Sequence, residues 1–300
     1  MSSGKPKHPD LRRRSIINQA EKLLEEEGLL SLPVDLEALA ATRDITVVAK
    51  PDVAVGVSGM LLRYGETFGI IYATHIPSMG YQRFSIAHEL GHYFLDGHAE
   101  QLLPKPDSVH QSRAGFTSDD LTEREADYFA SGLLMPTTLF VREIRRRDDG
   151  LDAIMALSER CLSSLTATAI RYADLSRGAV AVIVSSRGNV EFAFLSEGIN
   201  GLKGISCPRR GLAVPPSTLT ARFNGDQQRV LAASRDDDAI DISDWLGGQF
   251  ARGKEDVIGL GRYGRTLTVL TCAIRDESDE KDDEDEEKLI EGWTPRFHKR

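Results

Sequence analysis

Residues 83–93 read RFSIAHELGHY, and this segment limits the fold more than any other part of the 300-residue chain. His88 and His92 are four residues apart, so on a helix both imidazoles lie on the same face. The residues around them are largely apolar, and imidazoles in such a helix need polar partners. Two imidazoles at this spacing can bind one tetrahedral metal ion. The fold must therefore pack this helix and keep space for an ion beside it.

Glu89 directly follows the first histidine and points to a flank of the same face. From there its carboxylate can reach a water molecule on the metal without being a ligand. Zinc lowers the pKa of such a water to about 7, and a carboxylate can take its proton during attack on a carbonyl. The spacing predicts zinc-dependent hydrolysis with Glu89 as the general base, Mn²⁺ or another divalent ion being the alternative metal. The competing interpretation is a pair of core histidines satisfied by hydrogen bonds.

A catalytic zinc site needs a third protein ligand and one open coordination position. Glu125 ranks first, because it lies near the start of a predicted helix, where a carboxylate suits the helix dipole. Glu123 ranks second, with a surface capping charge as its alternative role. His98 ranks last, although it follows His88 by the ten residues that metzincins use, because Leu95 stands where metzincins place a glycine. We expect His98 to be an exposed turn residue.

The segments RFSIAHELGH and EADYFASGLLMP, in this order, resemble the two motifs of the ImmA/IrrE family of metallopeptidases. The resemblance covers about residues 79–136. It implies a gluzincin-like zinc metalloendopeptidase in which the glutamate of the second motif, here Glu125, is the third zinc ligand. One departure concerns the third histidine that family members often place shortly after the second. Asp96 and Gly97 intervene here before His98, so His98 inherits no role from the family.

The same resemblance implies a substrate. Family members cut helix-turn-helix repressors to release gene expression, and for IrrE-like members the implied substrate is a DdrO-type repressor of DNA-damage genes. This predicts a function in the DNA-damage and radiation response. The competing hypothesis is a DNA-binding transcriptional regulator or sensor with a structural zinc site. Glu89 argues against it, because structural zinc sites are normally closed by four protein ligands and have no use for an unligated glutamate.

The chain as a whole predicts an α+β fold in four parts. Residues 1–150 are predicted to form a zincin-like peptidase domain, with a small sheet ahead of the metal helix. Residues 151–177 contain two short helical patterns that resemble a helix-turn-helix segment. Residues 178–275 alternate as an α+β domain, which the resemblance implies is a GAF-like sensor. Residues 276–300 begin with an acidic run that is typical of a disordered tail.

A hairpin predicted over residues 59–74 runs almost directly into the metal helix. Apolar side chains alternate along it, so one face can pack inward while the backbone edge stays open. A substrate peptide added to that edge gains main-chain hydrogen bonds and holds one carbonyl at a fixed height over the zinc. We therefore expect the substrate to bind along this hairpin. The alternative is that both strands are interior and another loop guides the substrate.

Net charge, cysteine content and the lack of long apolar runs indicate which partners and which cell compartment to expect. The net charge of -9 gives no overall attraction to DNA, although a local basic patch can still bind it. The three cysteines are widely spaced, which argues against disulfide scaffolds and cysteine-type zinc fingers. No stretch approaches ~18 apolar residues, and the start lacks the apolar run of a secretory signal. We expect a cytoplasmic monomer with a protein substrate and no membrane contact, direct DNA binding being left open.

Overall fold

The computed structural model describes residues 9–51, 54, 56–113 and 120–272, which adopt a mixed α+β fold as predicted. The chain divides into two compact units, Met1–Leu175 and Ser176–Arg300. The helices of the first unit are α1 (Pro9–Glu26), α2 (Leu36–Ala41), α3 (Met79–Phe94), α4 (His98–Leu102), α5 (Leu121–Leu134), α6 (Thr137–Ile144), α7 (Leu151–Cys161) and α8 (Leu165–Leu175). Its strands are β1 (Thr46–Lys50), β2 (Val57–Tyr64), β3 (Thr67–Ala73) and β4 (Ser108–Arg113).

The first sheet has the strand order β1-β3-β2-β4, with β1 parallel to β3 and the other pairs antiparallel. Strands β2 and β3 form the predicted hairpin, in which Leu61 lies opposite Ile70 and both side chains are fully buried. Gly65 in the turn adopts a φ of 58°, a left-handed conformation that glycine enters without steric cost. The sheet thus presents one packed face to the helices.

The expected open edge along this hairpin is wrong, because both of its strands are interior. Strand β1 pairs with β3, and β4 pairs with β2, so the sheet edges are β1 and β4. The sequence of β4, SVHQSR, contains a single apolar residue and gives no strand pattern. The chain that follows the metal helix thus forms β4, which covers the edge that the hairpin was predicted to leave open.

Three helices are layered behind this sheet. Helix α3 contacts β2 and β3, α5 contacts α3, and α1 contacts α5. Helix α1 buries Ile16, Ile17, Ala20 and Leu24. At Gly132 of α5, an added Cβ would lie only 2.9 Å from the carbonyl oxygen of Ile17, so glycine permits the close approach of α1. The order of packing fixes α3 between the sheet and α5.

The segment that resembles a helix-turn-helix consists of α7, α8 and the turn between them. Ser164 in this turn lies against Gly80 near the start of α3, where any side chain at residue 80 would collide with its backbone. The basic residue of α8 is Arg171, which is 2% exposed and donates hydrogen bonds to the carbonyl of Met135 and the hydroxyl of Thr137. Helix α8 therefore offers no exposed cation to a phosphate.

The second unit is a five-stranded antiparallel sheet with helices on its connections. Its elements are β5 (Ala179–Ser186), β6 (Asn189–Leu195), α9 (Glu197–Asn200), α10 (Leu219–Asn224), α11 (Gln227–Leu231), β7 (Arg235–Asp241), α12 (Ser243–Leu246), β8 (Arg252–Gly259) and β9 (Arg265–Cys272). The strand order is β6-β5-β9-β8-β7. Buried Glu255 accepts hydrogen bonds from the backbone of Leu219 and Thr220 and from Trp245, which ties α10 and α12 to β8. The GAF-like assignment stays a prediction, and the tail at 276–300 lies outside the described residues.

No helix within the described ranges combines the length and the hydropathy needed to span a membrane. The longest, α1, has 18 residues and carries charged side chains along most of its length.

Candidate metal centre

Helix α3 places the predicted metal motif in the interior of the first unit. It begins after Ser78, whose side chain accepts a hydrogen bond from the backbone N–H of Tyr81 and caps the helix. Its central turns lie between the sheet and α5, so Glu89 and His92 are fully buried and His88 is 6% exposed. The apolar sequence of this helix indicates that it is buried, and its polar residues His88, Glu89 and His92 are buried too.

Helix α5 approaches α3 closely at one point. An added Cβ at Gly91 would lie 3.1 Å from the Cα of Ala126, which is tighter than most real contacts, so the glycine allows the two backbones to meet. Helix α5 begins after Asp120, whose carboxylate accepts a hydrogen bond from the N–H of Thr122. Its first turn, one turn before the point of contact, therefore faces the histidines and carries Glu123.

His88, His92 and Glu123 form a compact set of potential ligands, named here the ligand group. One atom from each lies within 4.8 Å of the other two. The Nε2 atoms of the two histidines are 3.0 Å apart, and Glu123 oxygens lie 3.2 Å from Nε2 of His88 and 3.5 Å from Nε2 of His92. Two imidazoles and one carboxylate are a donor set that catalytic zinc sites use.

Glu125, which ranked first from the sequence, is not brought together with the two histidines. Its carboxylate accepts hydrogen bonds from Nε and Nη2 of Arg12 at 2.8 Å and 2.9 Å and lies 3.2 Å from Nε2 of His98. Residues two apart on a helix point about 200° apart, so only one of Glu123 and Glu125 can face α3 in this way. The geometry selects Glu123, the second-ranked candidate, and we assign it the ligand role as a proposal.

His98 corrects a second expectation, because it is buried rather than exposed in a turn. Its side chain is only 8% exposed. Gly97 adopts a φ of 81°, and this left-handed residue turns the chain back at the start of α4. His98 is thereby directed at the metal helix, with its Nδ1 atom 3.3 Å from Nδ1 of His92. It contacts a candidate ligand without belonging to the ligand group.

Each member of the ligand group has its own polar partner. Nδ1 of His88 lies 2.9 Å from a carboxylate oxygen of Asp127, and Nε2 of His110 lies 3.1 Å from Glu123. The polar partner of His92 is His98. Such partners fix the tautomer and orientation of metal ligands. Sequence reasoning missed Asp127, although it lies one helical turn after Glu123, and missed His110 because its strand β4 was not predicted.

Glu89 lies beside the ligand group, and neither oxygen of its carboxylate makes a well-formed hydrogen bond within the described residues, although the nearby hydroxyl of Ser112 partly opposes the rise of its pKa. Both of its oxygens are buried. Gly59 on β2 makes room for it, since an added Cβ would lie 2.6 Å from Oε1 of Glu89. Burial raises the pKa of this carboxyl. An unpaired buried carboxylate is costly, and it fits a site where a divalent metal ion and its water complete the contacts.

The charges of the ligand group are set by its own members and partners. Burial disfavours the charged form of His88, but the carboxylates of Asp127 and Glu123 outweigh it and raise the pKa of His88 to about 10. Burial lowers the pKa of His92 to about 4. Burial also opposes ionisation of Glu123, but its contacts with the ring nitrogens of His110, His88 and His92 outweigh burial and hold its pKa below the usual range. A metal ion must therefore displace the proton of His88 when it binds.

The part of the chain that holds the ligand group matches a known family. A family model, Peptidase_M78, described as the IrrE N-terminal-like domain, matches residues 40–172. These residues belong to that family. The ImmA/IrrE resemblance drawn from the two motifs is confirmed, and the segment, called here the IrrE-like domain, is a domain of a metallopeptidase family. It includes the whole ligand group and Glu89, whereas α1 lies outside it.

Similarity to a solved structure extends beyond the IrrE-like domain. A solved structure of a Mycobacterium tuberculosis transcriptional regulator is similar over 87% of this chain and 78% of that chain, with a TM-score of 0.54 and 18% sequence identity. At that identity the likeness concerns the fold alone. No curated protein matches the chain.

Proposed function

We propose that this protein is a zinc-dependent endopeptidase that cleaves a helix-turn-helix repressor of the DdrO type and so induces DNA-damage and radiation-response genes. One observation carries the enzymatic part: Glu89, fully buried and without a well-formed hydrogen bond among the described residues, lies beside a group of two histidines and a glutamate. The repressor as substrate rests on the resemblance to the ImmA/IrrE family. Since such a repressor acts on chromosomal genes, the proposal implies a cytoplasmic protease.

The proposed mechanism assigns a task to each residue. His88, His92 and Glu123 hold the ion, with Mn²⁺ or another divalent ion as the alternative to zinc. Zinc, when bound, polarises the scissile carbonyl and makes water acidic enough to attack at neutral pH. Glu89 accepts a proton from the water as its oxygen attacks the carbonyl carbon. The same carboxyl then gives that proton to the leaving amine nitrogen, which completes the addition of one water across the peptide bond.

Burial of Glu89 suits this exchange of a proton. A general base works best when its pKa lies near the working pH, and a carboxylate in water is too acidic for that. Because burial raises the pKa of Glu89, the carboxyl is shifted toward the useful range. A structural zinc site has no need of such a group and is normally closed by four protein ligands. The ligand group supplies three, which favours catalysis over a structural role.

We place the substrate along β4 instead of the hairpin. Strand β4 is an edge of the sheet, and His110 in its middle reaches Glu123 of the ligand group. A peptide paired with β4 would gain main-chain hydrogen bonds and pass next to Glu89. Val109 and Gln111 flank His110 and are exposed, so they can contact substrate side chains that alternate along the added strand.

The rival function, DNA binding by α7 and α8, has less support. Specific and nonspecific DNA binding both depend on cations that contact phosphates. Helix α8 has one basic residue, Arg171, which is buried in contacts within its own unit. Helix α7 adds a single exposed arginine, Arg160, in its last turn. The similarity to a Mycobacterium tuberculosis transcriptional regulator is compatible with an indirect role, in which regulation follows from cleavage of a repressor.

The decisive experiment is cleavage of purified candidate repressors. Zinc-loaded wild-type protein, Glu89→Gln and the control Glu100→Gln, which changes an exposed glutamate on α4, are incubated with each repressor, and products are mapped by mass spectrometry. We expect one defined cut with the wild type and the control. Glu89→Gln should retain zinc and lose cleavage by about 10²–10⁴-fold, as expected for loss of a general base. Normal cleavage by a zinc-loaded Glu89→Gln protein would disprove the mechanism.

A further inference from the structure

We infer that His98, Glu125 and Arg12 form a positioning relay that holds the metal ligand His92 in its binding orientation. This inference rests on the proposed metal site and assigns a role to three residues that do not belong to the ligand group. The relay begins at Nδ1 of His92, which lies 3.3 Å from Nδ1 of His98. It continues from Nε2 of His98 to Glu125 at 3.2 Å and ends at the guanidinium of Arg12.

The hydrogens along the positioning relay have one consistent arrangement. Nε2 of His92 faces the ligand group and must be free of hydrogen to bind a metal, so Nδ1 carries the hydrogen. Nδ1–H of His92 then donates to Nδ1 of His98, which leaves the hydrogen of His98 on Nε2. That N–H donates to the carboxylate of Glu125, which can only accept. Each group therefore determines the tautomer of the next, as partners of metal-bound histidines do.

The inner end of the relay is buried and therefore rigid, whereas its outer end is exposed at the surface. His92 is 0% exposed, His98 6% and Glu125 5%. The side chain of Arg12 is 57% exposed. Its Nε and Nη2 donate to the two oxygens of Glu125 at 2.8 Å and 2.9 Å, a paired geometry that fixes the plane of the carboxylate. Arg12 thus orients the group that orients His98.

The outer end of the relay comes from outside the IrrE-like domain. Arg12 belongs to α1, whereas the family match covers residues 40–172. Helix α1 is held on α5 by buried apolar residues, and glycine at 132 allows the backbone of Ile17 to approach closely. This packing places Arg12 over Glu125. The N-terminal helix therefore contributes to the order of the metal site, in addition to covering α5.

The test measures zinc affinity, which does not require any peptidase substrate. Dissociation constants for Zn²⁺ are obtained by competition with a chelator for the wild type, His98→Ala, Glu125→Gln, Arg12→Ala and a control. The control is Arg14→Ala, which removes an exposed arginine from the same helix. We expect His98→Ala and Glu125→Gln to bind zinc about 10–100-fold more weakly, as for other losses of a ligand's partner. Arg12→Ala should show a smaller loss in the same direction, and the control none.

A further variant separates positioning from general support of the fold. His98→Asn keeps an oxygen that can accept the N–H of His92, so it should bind zinc more tightly than His98→Ala. Asparagine lacks the Nε2–H with which His98 contacts Glu125. Adding Glu125→Gln to the His98→Asn protein should therefore weaken zinc binding less than Glu125→Gln does in the wild type. NMR of the zinc-loaded wild type should show the hydrogen of His92 on Nδ1.

Three outcomes would overturn the relay. One is unchanged zinc affinity in folded Glu125→Gln and Arg12→Ala proteins. Another is an equal loss from Glu125→Gln with and without His98→Asn, since the two residues would then act independently. Failure of the wild type to bind zinc would remove both the relay and the proposed function. Zinc binding with the expected losses but without any repressor cleavage would contradict the proposed function alone.

Discussion

Replacement of Gly59 by alanine tests whether the position of Glu89 controls cleavage. The added Cβ would lie 2.6 Å from Oε1 of Glu89, 3.1 Å from its Cγ and 3.2 Å from its Cδ. Ordinary contacts begin at 3.4 Å, so the carboxylate must move by about 0.8 Å, and Glu89 is fully buried with little free space around it. Displacement of a reacting group by about 1 Å can cost about 10²-fold in rate. We therefore expect kcat to fall about 100-fold, equivalent to about 2.7 kcal/mol of activation free energy.

The assay compares kcat on a cleaved repressor or peptide with the zinc content of each protein. Zinc should remain bound in Gly59→Ala, because the substitution touches none of the three proposed ligands. Gly69→Ala is the matched control, since it lies in the same sheet and its added Cβ would be 3.6 Å from the nearest atom, the carbonyl oxygen of Thr46. It should cleave normally. A folded, zinc-loaded Gly59→Ala protein with wild-type kcat would refute the reasoning about Glu89.

Three further predictions concern the ligand group and its supports. Zinc binding at pH 7 should release about one proton, because the raised pKa of about 10 keeps His88 protonated without metal and a ligand must be neutral. Calorimetry in buffers of different ionisation enthalpy measures the number of protons released. A release of zero protons would contradict the prediction. Gly91→Val should lower the free energy of unfolding in urea by about 1–3 kcal/mol, because it overpacks the contact of α3 with α5; an unchanged urea midpoint would argue against that contact. His110→Ala should weaken zinc binding about 10–100-fold, since it removes the partner of Glu123. The exposed His75→Ala should not, and equal affinities would show that His110 does not support the ligand.

The sequence was sufficient for the part of the site that lies on one helix. His88, Glu89 and His92 have fixed relative directions on any helix, so their spacing alone predicts one face with two imidazoles and a flanking carboxylate. The helices α3, α5, α7 and α8 and the β2–β3 hairpin were also predicted from local periodicity and turn residues. The two motifs together are enough to indicate the family without the geometry.

The remaining parts of the site depend on contacts between distant segments. Whether Glu123 or Glu125 faces the histidines is decided by how α5 rotates against α3, and Gly91 sets that contact only in the folded protein. His98 looks like a turn residue until Gly97 directs it inward. His110 lies on β4, whose sequence lacks a β pattern and which becomes a strand through its pairing with the distant β2.

The packing of α1 has a practical consequence for anyone who expresses this protein. A shortened protein that starts at residue 40, where the family match begins, would lose the helix that shields α5. Freshly uncovered apolar surface promotes aggregation. It would also lose the guanidinium that pairs with Glu125. Inactivity of such a truncated protein would therefore report a damaged domain rather than the absence of a peptidase, and the folding unit should be defined from α1 onward.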